Sequence, residues 1–541
     1  MTGASHWTAR AEAGEWGRSV QDELDLAAAE CGEQTWLNFF EGGAHSFAEV
    51  HAAVERLAAG LEALGVARGD AVALFCGNRV EFVETWFAVQ RLGAIIVPMN
   101  TSHRGPMLSR MLERAGVKVV VAEAEFEPNV VAAIAGLECV EVYVAVDGDP
   151  PDLGGSARSL RLAELPLEGI PAPLEGAGVT DPAAIMFTSG TTGASKGVVW
   201  TRHSTWYFAK TARHSLQLTA EDSFYCCLPL FHTAALACGL LTSLQARCPI
   251  WIRSRFSVSG FWPDVVASQA TASAMLGAMT PLLLGQEATP EERQHCLRVV
   301  NVAPATRAYR EAIDERFGFG LISGYGLTDF GVVIWHQPGE ETPPGSCGRP
   351  SEGYECVIVD ADGFEVEPGE VGELWIRTTR PGIATRGYWR DPEATAAAYG
   401  ELWFHSGDLM RRDEHGFHYF VDRAKDAMRR RGENISSFEV EEAFLSHPAV
   451  ADCAAYAIPS ELSEDEVAVA VVLAEGATAT PHELVEFAEP LLPYFALPRF
   501  VRILEAMPMT ATEKIRKDVL REEGSPAGAW DAEEVGFRAR R

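Results

Sequence analysis

The residues best equipped for chemistry lie between Thr188 and Gly197, in the run Thr-Ser-Gly-Thr-Thr-Gly-Ala-Ser-Lys-Gly. Gly190 and Gly193 permit backbone angles that turn successive N–H groups toward an anion. Thr188, Ser189, Thr191 and Thr192 add hydroxyl donors, and Lys196 adds positive charge. Together they suit a polyphosphate. Gly197 follows Lys196 where the Walker loop needs Ser or Thr, so a nucleotide hydrolase or kinase of that class is excluded. The same glycine-rich stretch could form an ordinary turn, but its density of hydroxyls favours a binding loop. The apolar run Ala183–Phe187 before it reads as a buried strand that presents the loop.

The elements around this loop alternate. Phe47–Leu64 carries apolar residues at helical spacing and ends at Gly65, and Ala71–Cys76 reads as a strand. Val80–Leu92 and Ala94–Met99 repeat the pair, and Val117–Ala122 and Val140–Val146 continue the strands. Such alternation predicts an α/β fold, with parallel sheets stacked between helices. Residues 148–182 are rich in Pro, Gly and acids and read as a surface connection. A small antiparallel β unit is expected over Cys356–Arg377. Beyond it, a helix at Ser437–Leu445, strands at Ala451–Ile458 and Ala468–Leu473 and a helix at Pro481–Leu491 predict a separate α+β lid. The last fifteen or so residues read as a loose tail. The predicted division is 1–422 and 423–541, with a hinge near Lys425.

The 541 residues suffice for two to four domains, and the formal net charge of −31 opposes nucleic-acid binding. No apolar run is long enough to span a bilayer, and Met1–Glu15 has no apolar signal core, which predicts a cytoplasmic protein. The eleven cysteines show no Cys-x-x-Cys pair and read as reduced, buried thiols. Against this acidic background the basic run Arg423, Lys425, Arg429, Arg430, Arg431 stands out; it reads as a patch for an anionic cosubstrate rather than a solvated hinge.

Further motifs follow in order: Leu228-Pro-Leu-Phe-His232, Tyr325-Gly-Leu-Thr-Asp329, His405-Ser-Gly-Asp408, Asp422-Arg-Ala-Lys-Asp426 and Thr512-Glu-Lys-Ile-Arg516. With the 188–197 loop they resemble the adenylate-forming superfamily of acyl-CoA synthetases, carrier-loading adenylation domains and luciferases. The resemblance covers about Phe47 to Leu520 and is strongest to AMP-forming acyl-CoA synthetases.

That resemblance implies an acid attacking the α-phosphate of ATP, giving an acyl-adenylate and pyrophosphate, then transfer to CoA. It implies that the loop grips the β- and γ-phosphates. Val302, Ala303 and Pro304, with Gly324, Tyr325 and Gly326, would line adenine. Thr328 would contact the α-phosphate, and Asp329 with Thr191 would hold Mg²⁺. Asp329 stands where the family has Glu, and Glu513 where it has Gly. Asp408 would accept the ribose hydroxyls, with Arg423 adding a ribose or phosphate contact. Lys514 would neutralise charge during adenylation, with Lys517 as a solvated bystander. His232 would gate the acid. Arg431 and Gly432 would meet CoA after the lid rotates about Lys425, with Arg429 and Arg430 as further phosphate partners.

Small residues on the predicted helix Thr233–Gly239, and at Gly277, Ala278, Met279, Ser323 and Gly324, suit a bulky apolar acid, alicyclic, terpenoid or steroid-like; close helix packing explains them equally. The stretch Arg430–Ser436 also resembles synthetases for carnitine-type and ring-containing acids. Three alternatives stay open: an adenylating enzyme serving a carrier protein or partner ligase, a luciferase, and a catalytically silent nucleotide-binding protein. The assembly is open to a homodimer.

Overall fold

A computed structural model of the chain describes residues 17–155, 157–166, 177–188, 195–277, 279–303, 307–424, 428–430, 433–459, 465–492, 496–510, 514–523 and 528–537. Ser189–Gly193, Ala278, Pro304, Lys425, Arg431, Gly432 and Glu513 lie outside the described residues. The chain forms two compact units. One comprises the described residues up to Thr188 together with Ser195–Glu355 and Arg377–Leu402; the other comprises Cys356–Ile376 and the described residues from Trp403 onward.

The first unit is built on two seven-stranded sheets. One runs in the order Arg158–Arg161, Val142–Ala145, Val117–Ala122, Ala71–Phe75, Ile95–Pro98, Pro182–Phe187, Gly197–Thr201. All neighbours are parallel except the last pair. The other runs Gly320–Ile322, Val299–Ala303, Ala272–Leu276, Phe224–Cys226, Ile250–Ile252, Thr35–Phe39, Gly43–Ser46, again parallel but for its last pair. Parallel strands bury both faces, which is why Ala71–Phe75 and Ile95–Pro98 are apolar at every position. Helix Phe47–Ala63 starts where Ser46 and Glu49 form a capping box, and the chain leaves it through Gly65 at φ +88°.

Three expectations need correction. The 148–182 connection contains the strand Arg158–Arg161, because Leu160 turns inward while Arg158 and Arg161 stay exposed and guard the sheet edge. Thr233–Gly239 is one α-helical turn, Thr233–Ala235, followed by a π-helix, Leu236–Leu240. The wider turn is stabilised by Thr242, whose Oγ1 donates to the Ala237 carbonyl at 2.6 Å. The expected tail is held through residue 537: Trp530–Asp531 pairs with Phe500–Leu504, Arg499 meets Asp531, and Trp530 packs on Phe537.

The second unit contains antiparallel pairs of Val371–Thr378 with Trp403–Arg412 and of the latter with His418–Arg423. A four-stranded sheet follows, Val450–Pro459, Asp465–Leu473, Phe500–Leu504 and Trp530–Asp531. Helices Ser437–Leu445 and Pro481–Ala488 cover one apolar cluster, and Leu520 of helix Lys517–Glu522 joins another. All eleven cysteines are free thiols. Among the described residues no helix is long and apolar enough to cross a membrane.

Candidate active site

The ends of the glycine-rich loop are fixed by a strand pair. Pro182–Phe187 and Gly197–Thr201 are antiparallel with Phe187 opposite Gly197, and the Thr188 N–H donates to the Lys196 carbonyl at 3.0 Å. Thr188 and Lys196 therefore face each other across the loop mouth. The Lys196 ammonium lies 4.6 Å from the centre of the Tyr388 ring, a cation–π arrangement. The Tyr388 hydroxyl bonds to the Asp329 carboxylate. Burial, followed by the Asp329 charge and this bond, holds the phenol above its ordinary pKa, so it is a donor at neutral pH.

Thr328 and Asp329 occupy the turn of a hairpin made by Gly324–Leu327 and Gly331–Trp335. The hairpin closes tightly. A Cβ on Gly326 would stand 2.5 Å from the Gly331 carbonyl oxygen, and Gly331, at φ +68°, lies against the Phe208 ring. The turn is then pinned from two sides: Trp200 Nε1 donates to the Thr328 carbonyl at 2.7 Å, and the Thr385 N–H to the Asp329 carbonyl at 2.9 Å. Trp200 belongs to the strand that leaves the loop, so one element positions both Lys196 and Thr328. Lys196, Tyr388, Asp329 and Thr328 form one connected group. Tyr388 escaped the sequence reading; its signal was an aromatic residue in Thr385-Arg-Gly-Tyr388-Trp.

Val302 is buried in strand Val299–Ala303, whose register places Asn301 opposite Ile322. Tyr325 is buried within the hairpin, and Gly324 packs against Trp335. His232 precedes the helical turn at Thr233, with its ring 4.7 Å from that of Phe231. The π-helix that follows presents Leu236, Ala237, Cys238, Gly239 and Leu240, all buried. Gly277 and Met279 follow strand Ala272–Leu276.

The second unit holds the remaining candidates. Asp408 is 1 % exposed and lies opposite Arg423 in the strand register, with Arg423 Nε 2.7 Å from its Oδ1. Gly407, at φ +68°, donates its N–H to Glu373 Oε1 at 2.9 Å, and Ser406 Oγ accepts from the Asp408 N–H at 3.1 Å. Lys514 is exposed and tied to Thr510: the Thr510 N–H donates to its carbonyl at 2.7 Å, and its own N–H to Thr510 Oγ1 at 3.0 Å.

Two basic residues behave otherwise than expected. Arg430 is buried; it donates to the Leu497 carbonyl at 2.9 Å and pairs with Glu466 at 2.8 Å, so it is a structural arginine rather than a surface phosphate partner. Lys517 is not solvated: its Nζ donates to Ser437 Oγ at 2.6 Å and lies 2.7 Å from Glu441 Oε1. A cation shielded from water needs a carboxylate, and both have one.

The strand that leaves the glycine-rich run thus reaches the Asp329 hairpin through Trp200, in a unit whose two mainly parallel sheets make it an α/β fold. Residues 24–389 match the AMP-binding enzyme family, and residues 439–514 match the AMP-binding enzyme C-terminal domain. The crotonobetaine/carnitine–CoA ligase of Citrobacter koseri is 31% identical over 514 residues, covering 93% of this chain and 99% of that enzyme. The o-succinylbenzoate coenzyme A synthetase (MenE) of Bacillus subtilis, solved with ATP and magnesium ion, is 26% identical with a TM-score of 0.78, over 92% of this chain and 98% of that one. ATP-bound MatB from Rhodopseudomonas palustris shares the fold at 24% identity, with a TM-score of 0.82 over 94% and 98%. The chain belongs to the AMP-binding enzyme family, within the adenylate-forming superfamily.

Proposed function

We propose that the protein is an AMP-forming acid–CoA ligase acting in two steps. The connected group Lys196–Tyr388–Asp329–Thr328 is the observation that carries the reading. In the first step the acid's carboxylate oxygen attacks the α-phosphorus of ATP, and the bond to the β-phosphate bridging oxygen breaks, releasing pyrophosphate. In the second the CoA thiolate attacks the acyl carbon, and AMP leaves with the electrons of the acyl–oxygen bond.

Both partners of the first step are anions, so the site must supply positive charge and donors where negative charge concentrates. Lys196 and the loop hydroxyls take the terminal phosphates. Thr328 stands at the α-phosphate, its backbone fixed by Trp200 so that its hydroxyl is preorganised. Asp329 offers a hard carboxylate oxygen, and with Thr191 it would hold Mg²⁺, which supplies Lewis-acid charge neutralisation on the phosphates. The Tyr388 hydroxyl keeps the shorter Asp329 side chain oriented, which answers the departure from Glu.

The second unit contributes Asp408 as acceptor for the ribose hydroxyls, with Arg423 orienting the carboxylate, and Lys514 as the mobile cation of adenylation. We place the hinge at Lys425, so that rotation of 423–541 exchanges Lys514 for Arg431 and Gly432 before CoA attacks. His232 gates the acid. We assign the run from Ala235 to Leu240, buried and without a carboxylate, to the wall of the acid site, where it would suit a bulky apolar acid, alicyclic, terpenoid or steroid-like, better than a quaternary ammonium.

The test is acid-dependent pyrophosphate release over a panel containing carnitine, crotonobetaine, benzoate and alicyclic and steroid acids, followed by mass spectrometry with CoA. A CoA thioester of one shape class is expected. Lys514→Ala should abolish pyrophosphate release yet spare thioester formation from a supplied acyl-adenylate. Adenylation that survives in Lys514→Ala removes that role, and no acid-dependent release across the panel leaves a nucleotide-binding protein without this chemistry.

A further inference from the structure

Lys517 stands at the first position of helix Lys517–Glu522. A positive charge there opposes the helix dipole, so helix stability does not explain the residue. Its partners do. Nζ donates to Ser437 Oγ at 2.6 Å and pairs with Glu441 Oε1 at 2.7 Å, and the side chain is only 17% exposed. Ser437 Oγ in turn donates to Asp422 Oδ1 at 3.1 Å, and the Ser437 N–H donates to Asp422 Oδ2. Glu441 also accepts the Ala455 N–H at 2.8 Å. Burial pushes both carboxyls, Asp422 and Glu441, above their ordinary range, and the Lys517 charge opposes that push in each. One cation thus serves two buried acids drawn from a strand end and a helix.

The position of these groups in the chain gives the cluster its consequence. Asp422 precedes Lys425 by three residues, and Lys517 follows Lys514 by three. Between Lys514 and Lys517 the chain is held against the preceding segment: Met509 bridges Ile515, and the Arg516 N–H donates to the Pro508 carbonyl at 2.7 Å. Leu520 then anchors the helix in an apolar cluster, with Ile515 packed beside it. The segment that follows Lys514 is therefore fastened by a charged contact to helix Ser437–Leu445.

We propose that Lys517 is a positioning residue for adenylation: it clamps the segment that follows Lys514 to helix Ser437–Leu445, so that Lys514 and that helix move as one body when 423–541 rotates. The inference rests on the proposed role of Lys514 in the first step. Misplacing a reacting group by about 1 Å costs on the order of 10²-fold in rate. A clamp that holds Lys514 should therefore matter to pyrophosphate release and little to thioester formation, in which Lys514 takes no part.

The test uses the full chain in two forms, Lys517→Met and the charge-balanced Lys517→Met/Glu441→Gln, which avoids leaving Glu441 as an unpaired buried carboxylate. Thermal unfolding establishes that each is folded. In the folded double variant kcat for pyrophosphate release should fall about 10- to 100-fold with the KM for ATP nearly unchanged, while thioester formation from supplied acyl-adenylate stays within about threefold. Lys517→Arg, which restores the cation, should recover most of the first step. Equal loss in both half-reactions would show a merely structural role and overturn the inference, as would unchanged adenylation in the folded double variant. Lys514→Ala separates the two readings: if it abolishes adenylation while the Lys517 variants do not, the clamp alone fails.

Discussion

Replacing Tyr388 by Phe removes one oxygen and leaves the ring beneath Lys196. In the wild type that oxygen bonds the Asp329 carboxylate, and the ammonium lies 4.6 Å above the ring. A hydrogen bond to a charged group contributes about 1.5–3 kcal/mol, and the retained cation–π contact about 0.5–1 kcal/mol. If the bond orients Asp329 for the metal–nucleotide complex, Tyr388→Phe should lower kcat/KM for ATP by about 10- to 100-fold. Tyr388→Leu, which also loses the ring, should cost a further factor of about two to five. The assay is acid-dependent pyrophosphate release at varied ATP and Mg²⁺, with the apparent Mg²⁺ requirement rising in both variants. Wild-type kcat/KM and an unshifted Mg²⁺ curve in folded Tyr388→Phe would refute the reasoning, because the hydroxyl would then serve packing alone.

Arg430→Met should destabilise the protein by about 3 kcal/mol, read from denaturant unfolding, because Glu466 loses its near partner and, among the described residues, is left with Arg499 at 3.8 Å; a raised KM for CoA without loss of stability would instead return Arg430 to the surface role. His51 bonds Asp25 at 3.1 Å, beside Glu55 and Arg91. The Asp25 hydrogen bond leads in raising its pKa, against the opposing effect of burial. The raised folded value means that protonated His51 stabilises fully below roughly pH 6.5 and that the benefit fades as pH rises through the folded pKa. The stability advantage of wild type over His51→Ala should shrink across that window, and a pH-independent difference would show that the imidazolium contributes nothing.

Much of this architecture was legible because the signals were local. The run Ala71–Phe75 is a strand for the reason it looked like one, apolarity on both faces, and Ser437–Leu445 begins and ends where its pattern does. The failures were tertiary. Nothing near Arg158 announces that Leu160 will find a neighbouring strand, and the π-turn at Leu236 depends on a hydroxyl at Thr242 that sequence spacing cannot weigh. Lys517 and Arg430 looked like surface cations because their carboxylates, Glu441 and Glu466, are distant in sequence. Tyr388 was invisible for the same reason: its meaning comes from Lys196 and Asp329, far apart in the chain.

The antiparallel return at Gly197 has an evolutionary consequence. Because Phe187 and Gly197 are registered across a strand pair, the segment joining them is tethered at both feet to a sheet whose stability is decided elsewhere. Closing a longer loop between fixed feet adds only about 0.6 kcal/mol for each doubling of its length. Residues can be exchanged or inserted between those feet while the sheet keeps its register. If that segment binds phosphate as proposed, its grip can therefore drift toward new tightness or new preference while the scaffold remains untouched.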